Sequence, residues 1–241
     1  MARRVSPLTR LVPDPNDSPP TLIVERVRGI VFDLDGTLVD SYGAIAESLN
    51  EARAAFALAP LPEDEVRRRV GHGLEALVSE LVGRQHVAEG VRIFREHYAR
   101  VFRDRTFALP GVADTIGKLR LRGYRLAVAS NKPARFGRAI LESLGLLGHL
   151  DDVQGPDSAG ATKPNPEMLR RSLGALGLDP TAGVYVGDMV LDVTTAARAG
   201  LPVILVPGGS SGREALEATG QRVLEAFSDL GSLFSSPRSA A

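Results

Sequence analysis

The chain has 241 residues, 44% of them apolar, with 29 acidic and 29 basic side chains and no cysteine. This is enough to bury a sizeable core. It excludes a disulfide framework, a thiolate metal site and a cysteine nucleophile, and the charge balance excludes bulk attraction to nucleic acid or an anionic membrane. No apolar stretch reaches membrane-spanning length, so a reducing cytoplasm is the expected location.

Residues 1–26 are rich in Pro, Arg, Asp and Ser and read as a disordered arm. An apolar run over 29–32 then has the β-branched content of a buried parallel strand. It ends in Asp33 and Asp35, which flank Leu34. If strand geometry persists through Asp35, both carboxylates share a face while Leu34 points into the core. Gly36 permits a tight turn and a close approach of backbone amides to a ligand.

Residues 42–109 change character. Ile45, Leu49, Ala52 and Phe56 follow helical spacing, Pro60 and Pro62 break it, and Leu74, Leu77, Val78 and Leu81, then Val91, Phe94, Tyr98, Val101 and Phe102, resume it. The block reads as about four helices with no strand signal. From Leu109-Pro110-Gly111 onward, helices over 112–122, 134–144, 166–177 and 190–199 alternate with strands over 124–130, 151–154, 183–187 and 202–206. Alternation of this kind predicts an α/β fold with a Rossmann-like parallel sheet and helices on both faces. The helical block is then an insertion after the first strand. The expected division is a core of 27–41 and 110–228, an inserted α-helical cap of 42–109 and a C-terminal tail of 229–241.

In such a sheet ligands bind outside the carboxyl ends of the strands. The first strand delivers Asp33 and Asp35 there, and the second ends in Ser130-Asn131-Lys132-Pro133, ahead of a helix start suited to an anion. The loop after the third carries Asp157 and then Lys163 before a proline-started helix. The fourth ends in Gly187-Asp188 and reaches Asp192 one turn later, on the same face. Unit charges about 4 Å apart at an effective dielectric near 20 interact by roughly 4 kcal/mol, so these four carboxylates cannot all stay ionised without compensation. All-oxygen ligands favour Mg²⁺ over Zn²⁺, and serine, lysine and backbone amides beside Mg²⁺ suit a phosphoryl group.

Each of these residues also has a purely structural reading. Asp33 and Asp35 can simply end a strand, Asp188 can cap a helix, and Asp192 can be a solvated helix residue. Ser130 can be a turn residue, Lys163 an exposed loop lysine and Asn131 a support for its loop. Lys132 is expected to be exposed and Asp157 structural. Only three of the 29 basic residues are lysines, Lys118, Lys132 and Lys163. In so arginine-rich a chain a lysine marks a position that needs a compact ammonium.

Asp33-Leu34-Asp35-Gly36-Thr37-Leu38-Val39-Asp40-Ser41, Ser130-Asn131-Lys132, Lys163-Pro164 and Gly187-Asp188 with Asp192 resemble, in order and spacing, the four motifs of haloacid dehalogenase-like hydrolases. The resemblance covers about residues 28–228. It implies Asp33 as nucleophile and Mg²⁺ ligand, and Asp35 as general acid then base with its carbonyl on the metal. Ser130 would bind the phosphoryl, Lys163 would neutralise and orient it, Asp188 would ligate Mg²⁺ and Asp192 would support the metal from behind. The helical insertion looks like the family's cap, hinged near 40–43 and 108–111.

Family members that cleave carbon–halogen bonds lack the second aspartate, so Asp35 favours phosphate transfer, and Thr37 looks like the phosphatase version of its position. The segments 107–112 and 130–133 are similar to phosphoglycolate phosphatases, which implies a small phosphate ester, 2-phosphoglycolate in preference, as substrate. Sugar-phosphate phosphatase, pyrophosphatase and phosphomutase activities stay open, as does an inactive binding module. In the cap, Arg67-Arg68-Arg69-Val70-Gly71-His72-Gly73 is the expected reader of the leaving group, through Arg68, Gly71, His72 and Gly73, with a solvated helix face as the plain alternative. Thr37 and Asn131 complete the expected substrate contacts. The partner is a small molecule, and a monomer or homodimer is expected.

Overall fold

In the computed structural model, residues 18–234 are described. The first strand, β1 (Gly29–Phe32), is buried along its whole length. β2 (Val39–Asp40) follows, then four helices: α1 (Tyr42–Ala54), α2 (Glu63–Arg67), α3 (Leu74–Leu81) and α4 (Val87–Val101). β3 (Phe107–Ala108) closes this block by pairing antiparallel with β2. The rest alternates: α5 (Val112–Leu121), β4 (Arg125–Ala129), α6 (Ala134–Ser143), β5 (Asp152–Gln154), α7 (Pro156–Ala159), α8 (Glu167–Leu176), β6 (Gly183–Gly187), α9 (Val190–Ala199) and β7 (Val203–Leu205). α10 (Arg213–Glu217), β8 (Arg222–Val223) and α11 (Asp229–Leu233) complete it.

Six strands form one parallel sheet in the order β5-β4-β1-β6-β7-β8. The pleat sorts its side chains: Ile30 and Phe32 belong to one core cluster, with Ile116, Ile140 and Leu230, while Val31 belongs to another, with Met168, Leu169 and Val193. Helices therefore cover both faces, as the alternating pattern predicts. β1 lies between β4 and β6, where the strand order reverses, so its carboxyl end opens on the crevice such sheets use for ligands.

The helical block is held against this end by aromatic packing. Phe94 and Tyr98 of α4 and Phe102 just after it stack in series at 5.5 and 5.7 Å, and Phe136 of α6 meets Tyr98 and Phe102 edge-on at 5.3 and 5.5 Å. Arg67 ties the other side, pairing with Asp40 at 2.9 Å, lying over the Tyr42 ring at 4.2 Å and donating to the Gly208 carbonyl at 3.2 Å.

Several boundaries differ from expectation. β3 lies within 42–109, where no strand is expected, because two residues are too few to show a period-2 pattern. The chain after Phe32 leaves strand geometry at once: the amides of Thr37, Leu38 and Val39 all turn back to the Leu34 carbonyl. The arm does not run to residue 26, since Leu22 and Val24 pack against the core and residues 24–26 form a 3-10 turn; residues 1–17 of the arm lie outside the described residues. The expected tail from 229 is not a tail as far as Phe234. Leu230 and Phe234 are fully buried, and Phe234 meets Tyr124 at 5.6 Å. Phe234→Ala is accordingly expected to lower the unfolding free energy by about 3–5 kcal/mol in a urea titration; a change within about 0.5 kcal/mol would return these residues to a loose tail.

Candidate active site

At the carboxyl end of the sheet the chain buries charge. Asp33, at 4% exposure, and Asp188 and Asp192, both at 0%, offer carboxylate oxygens within 4.8 Å of one another. Lys163 enters from the loop before α8 and is itself buried. Its ammonium reaches Asp33 Oδ2 at 2.8 Å, Asp192 Oδ1 at 2.7 Å and the Tyr185 hydroxyl at 3.2 Å. An ammonium has three protons to give, and a compact point charge suits three convergent acceptors better than a planar guanidinium. Burial pulls the Lys163 ammonium down, but Asp192 and Asp33 hold it well above the ordinary lysine value.

Asp188 and Asp192 do different work. Asp188 takes the Thr37 hydroxyl on Oδ1 at 2.9 Å and the Ser210 amide on Oδ2 at 2.8 Å. Asp192 receives the amides of Asp188 and Met189 on Oδ2, at 3.1 and 2.9 Å, which fixes the first turn of α9. Helix capping therefore falls to Asp192 and not to Asp188. Close approach needs glycine at two points. A side chain at Gly36, whose φ is +85°, would meet the Tyr42 hydroxyl at 2.3 Å and Asp188 Oδ2 at 2.7 Å, and one at Gly209 would meet Asp188 Oδ2 at 1.8 Å.

Three carboxylates against one ammonium leave two negative charges uncompensated. Burial raises Asp188 well above the ordinary carboxylate range, and Asp192 and Asp33 push it further. Burial also raises Asp192, with Lys163 pulling it back. Asp33 Oδ1 is buried and has no hydrogen-bond partner. An orphaned carboxylate oxygen, an all-oxygen donor set and a deficit of two positive charges fit a hard divalent cation such as Mg²⁺.

Asp35 sits apart from this cluster. Its Oδ1 accepts from Ser41 at 2.5 Å and its Oδ2 pairs with Lys132 at 3.0 Å. Lys132 is not exposed, contrary to expectation: its side chain is 7% accessible, and its ammonium lies 4.7 Å from the centre of the Tyr98 ring. Burial lowers its proton affinity, but Asp35 and Tyr98 leave it above the ordinary lysine value. Two of the three lysines in the chain therefore serve this one site.

A cavity of about 90 Å³ opens above these groups, between the sheet end and the helical block. Asp33, Asp35, Ser130, Asn131, Lys132 and Lys163 face it from below, and Gly71, Gly73 and apolar residues of α1, α3 and α4 from above. Asn131 spans the two sides, donating to the Gly71 carbonyl at 2.7 Å and accepting the Lys163 amide at 2.7 Å. Gly71 has a φ of +129°, a backbone conformation that favours glycine, and lies against the end of the Met189 side chain.

Three expected substrate contacts do not reach this cavity. Thr37 is wholly buried and supports Asp188 instead. Arg68 and His72 are exposed and lie off the cavity wall. Arg67 is committed to Asp40 and Arg69 to Glu80, so Arg95, 44% exposed and bonded to Glu75 at 2.8 Å, is the arginine on the wall. Asp157 is structural as expected, accepting the Ala134 amide at 2.6 Å at the start of α6.

Comparison with known proteins agrees with this geometry. A family model described as haloacid dehalogenase-like hydrolase matches residues 30–206. A phosphoglycolate phosphatase of Rhodospirillum rubrum is 38% identical over 217 residues, covering 86% of this chain and 89% of its own. One from Aquifex aeolicus is 34% identical over 183 residues, covering 76% and 86%. The crystal structure of a predicted phosphoglycolate phosphatase from Haemophilus somnus superposes with a TM-score of 0.81 at 27% identity, over 86% of this chain and 98% of that one. With the four motif segments gathered at one sheet end and this match across most of its length, the chain belongs to the haloacid dehalogenase-like hydrolases and resembles their phosphoglycolate phosphatases.

Proposed function

We propose that this protein is a cytoplasmic, Mg²⁺-dependent phosphatase that hydrolyses a small phosphate monoester, 2-phosphoglycolate in preference, through an aspartyl-phosphate on Asp33. The observation that carries the reading is the division between the two aspartates of β1's exit. Asp33 lies in the carboxylate cluster with Lys163 on one oxygen and nothing on the other; Asp35 lies outside it, paired with Lys132 and Ser41. The relatives named phosphoglycolate phosphatase support the choice of ester.

The residues assigned to hold Mg²⁺ are Asp33, Asp188 and the Asp35 carbonyl, with Asp192 supporting from behind. When bound, the ion supplies charge neutralisation for the phosphoryl oxygens and for Asp33. Lys163 pairs with Asp33 Oδ2 and orients its carboxylate. In the first half-reaction an Asp33 oxygen attacks phosphorus, the bond from phosphorus to the ester oxygen breaks, and Asp35 gives its proton to the departing alkoxide. In the second, Asp35 takes a proton from the water that attacks phosphorus, and phosphate leaves with Asp33 restored. Ser130 holds a phosphoryl oxygen throughout. The helical block over 42–109 acts as a cap that keeps bulk water from the phosphoenzyme.

Two outcomes follow. Phosphate release from 2-phosphoglycolate is expected to require Mg²⁺, to stop with a chelator and to fall by about 10⁴-fold or more in Asp33→Asn; full activity in that variant would end the assignment of the nucleophile. Net phosphate release without an added bisphosphate also separates this activity from a mutase.

The second concerns stability. In the metal-free protein the raised carboxylates bind protons that the unfolded chain has released above about pH 4. The native state holds more protons, so stability falls as pH rises above that value toward the raised native one, by at most about 1.4 kcal/mol per pH unit for each extra proton. Thermal melts in chelator are expected to drop between pH 5 and pH 8, and Mg²⁺ at pH 8 to restore the midpoint. Asp188→Asn should flatten the pH dependence and remove the Mg²⁺ response; a wild-type midpoint indifferent to Mg²⁺ at pH 8 would count against a metal at this cluster.

A further inference from the structure

The mechanism above leaves one buried ionic group at the cavity unused. The Lys132 side chain is only 7% accessible, yet Lys132 lines the cavity and its ammonium lies beside Asp35. A buried ammonium is costly unless a counter-charge meets it, and Asp35, at 3.0 Å, is the partner the protein gives it. The Tyr98 ring, 4.7 Å away, fixes its position from the α4 side.

Geometry then constrains the substrate. The ester oxygen has to come within hydrogen-bond reach of Asp35 to receive its proton, and Lys132 is the cation next to Asp35. In 2-phosphoglycolate the carboxylate is separated from that oxygen by a single methylene, which brings it to the same neighbourhood. On the remaining wall Ile45, Val70, Leu74, Leu77, Phe94 and Phe136 are apolar, and Asn131, Ser210 and Tyr98 are polar but carry no charge. Lys163 is committed to Asp33, Asp192 and Tyr185, and Arg95 is at the rim with Glu75.

We propose that Lys132 receives the acidic group of the leaving alcohol and is the residue by which the site prefers a small acidic phosphate ester to a neutral one of the same size. A neutral leaving group meets only uncharged side chains there, whereas a carboxylate finds a desolvated ammonium to pair with. The inference rests on the phosphatase reading and refines it.

The test compares 2-phosphoglycolate with isobutyl phosphate, whose isopropyl group matches the carboxylate in shape without its charge, in wild type, Lys132→Met and Arg95→Met, each as the Mg²⁺-loaded full chain. Wild type is expected to favour phosphoglycolate. In Lys132→Met the ratio of kcat/KM values for the two esters should fall by about 30-fold or more, the loss seen when one partner of a buried charge pair is truncated. Arg95→Met should move the ratio far less. Binding of 3-phosphonopropionate, a non-hydrolysable analogue carrying the same carboxylate, should weaken in parallel by calorimetry.

Should Lys132→Met fold poorly, Lys132→Arg is expected to keep the preference and Lys132→Gln to lose it. An equal loss on both esters would overturn the inference, because it would place Lys132 on the phosphoryl group or on Asp35 alone. So would an unchanged ratio, or a ratio governed by Arg95. Wild type that turns over neither ester would refute the phosphatase reading itself, a result distinct from turnover of both without dependence on Lys132.

Discussion

The site is organised by the difficulty of burying three carboxylates with a single ammonium among them. Lys163 meets the need only in part, binding Asp33 and Asp192 at once, and the remaining negative charge is what makes a divalent cation fit. Much of the surrounding backbone serves the same end. Thr37 and the Ser210 amide hold Asp188, the amides at the start of α9 hold Asp192, and Gly36 and Gly209 let two loops close on Asp188 without a side chain in the way. A half-satisfied buried charge cluster is unstable in water-free surroundings, so these supports and the reaction chemistry share one cause.

A second level of organisation joins the helical block to this cluster. Asn131 links Lys163's own amide to the Gly71 carbonyl, and Arg67 reaches the Gly208 carbonyl, two residues from the serine whose amide holds Asp188. Tyr98 and Phe136 pack beside the Lys132–Asp35 pair. The block is thus hydrogen-bonded to the same loops that carry the charged groups.

The sheet and its order of elements were legible because hydrophobic period and turn residues agree along 110–206. The carboxylate cluster was legible because strand exits in a parallel sheet converge, so four short segments far apart in sequence could be placed on one rim. What could not be read was direction at the level of single side chains. Arg68 and His72 stand in a loop that does reach the cavity, but its contacts come from the backbone and glycines at 71 and 73, and the side chains turn outward. Thr37 stands four residues after Asp33, yet the tight turn around the Leu34 carbonyl aims it at Asp188. Lys132 had a signal in the rarity of lysine, but its depth depends on Tyr98 arriving from α4, a tertiary contact without a local trace. Phe234 is followed by two serines and a proline, and its place in the core comes from tertiary contacts such as that with Tyr124.

The central claim is that Asp33, and not Asp35, carries the phosphoryl group. It is tested most directly by trapping. Wild type and Asp35→Asn can each be mixed with 2-phosphoglycolate and Mg²⁺, quenched in acid during turnover, and treated with borohydride, which reduces an aspartyl phosphate to homoserine. Peptide mass spectrometry is predicted to find homoserine at position 33 only when the ester is present. Modification at another residue, or none in a preparation whose wild type turns over the ester, would contradict the account.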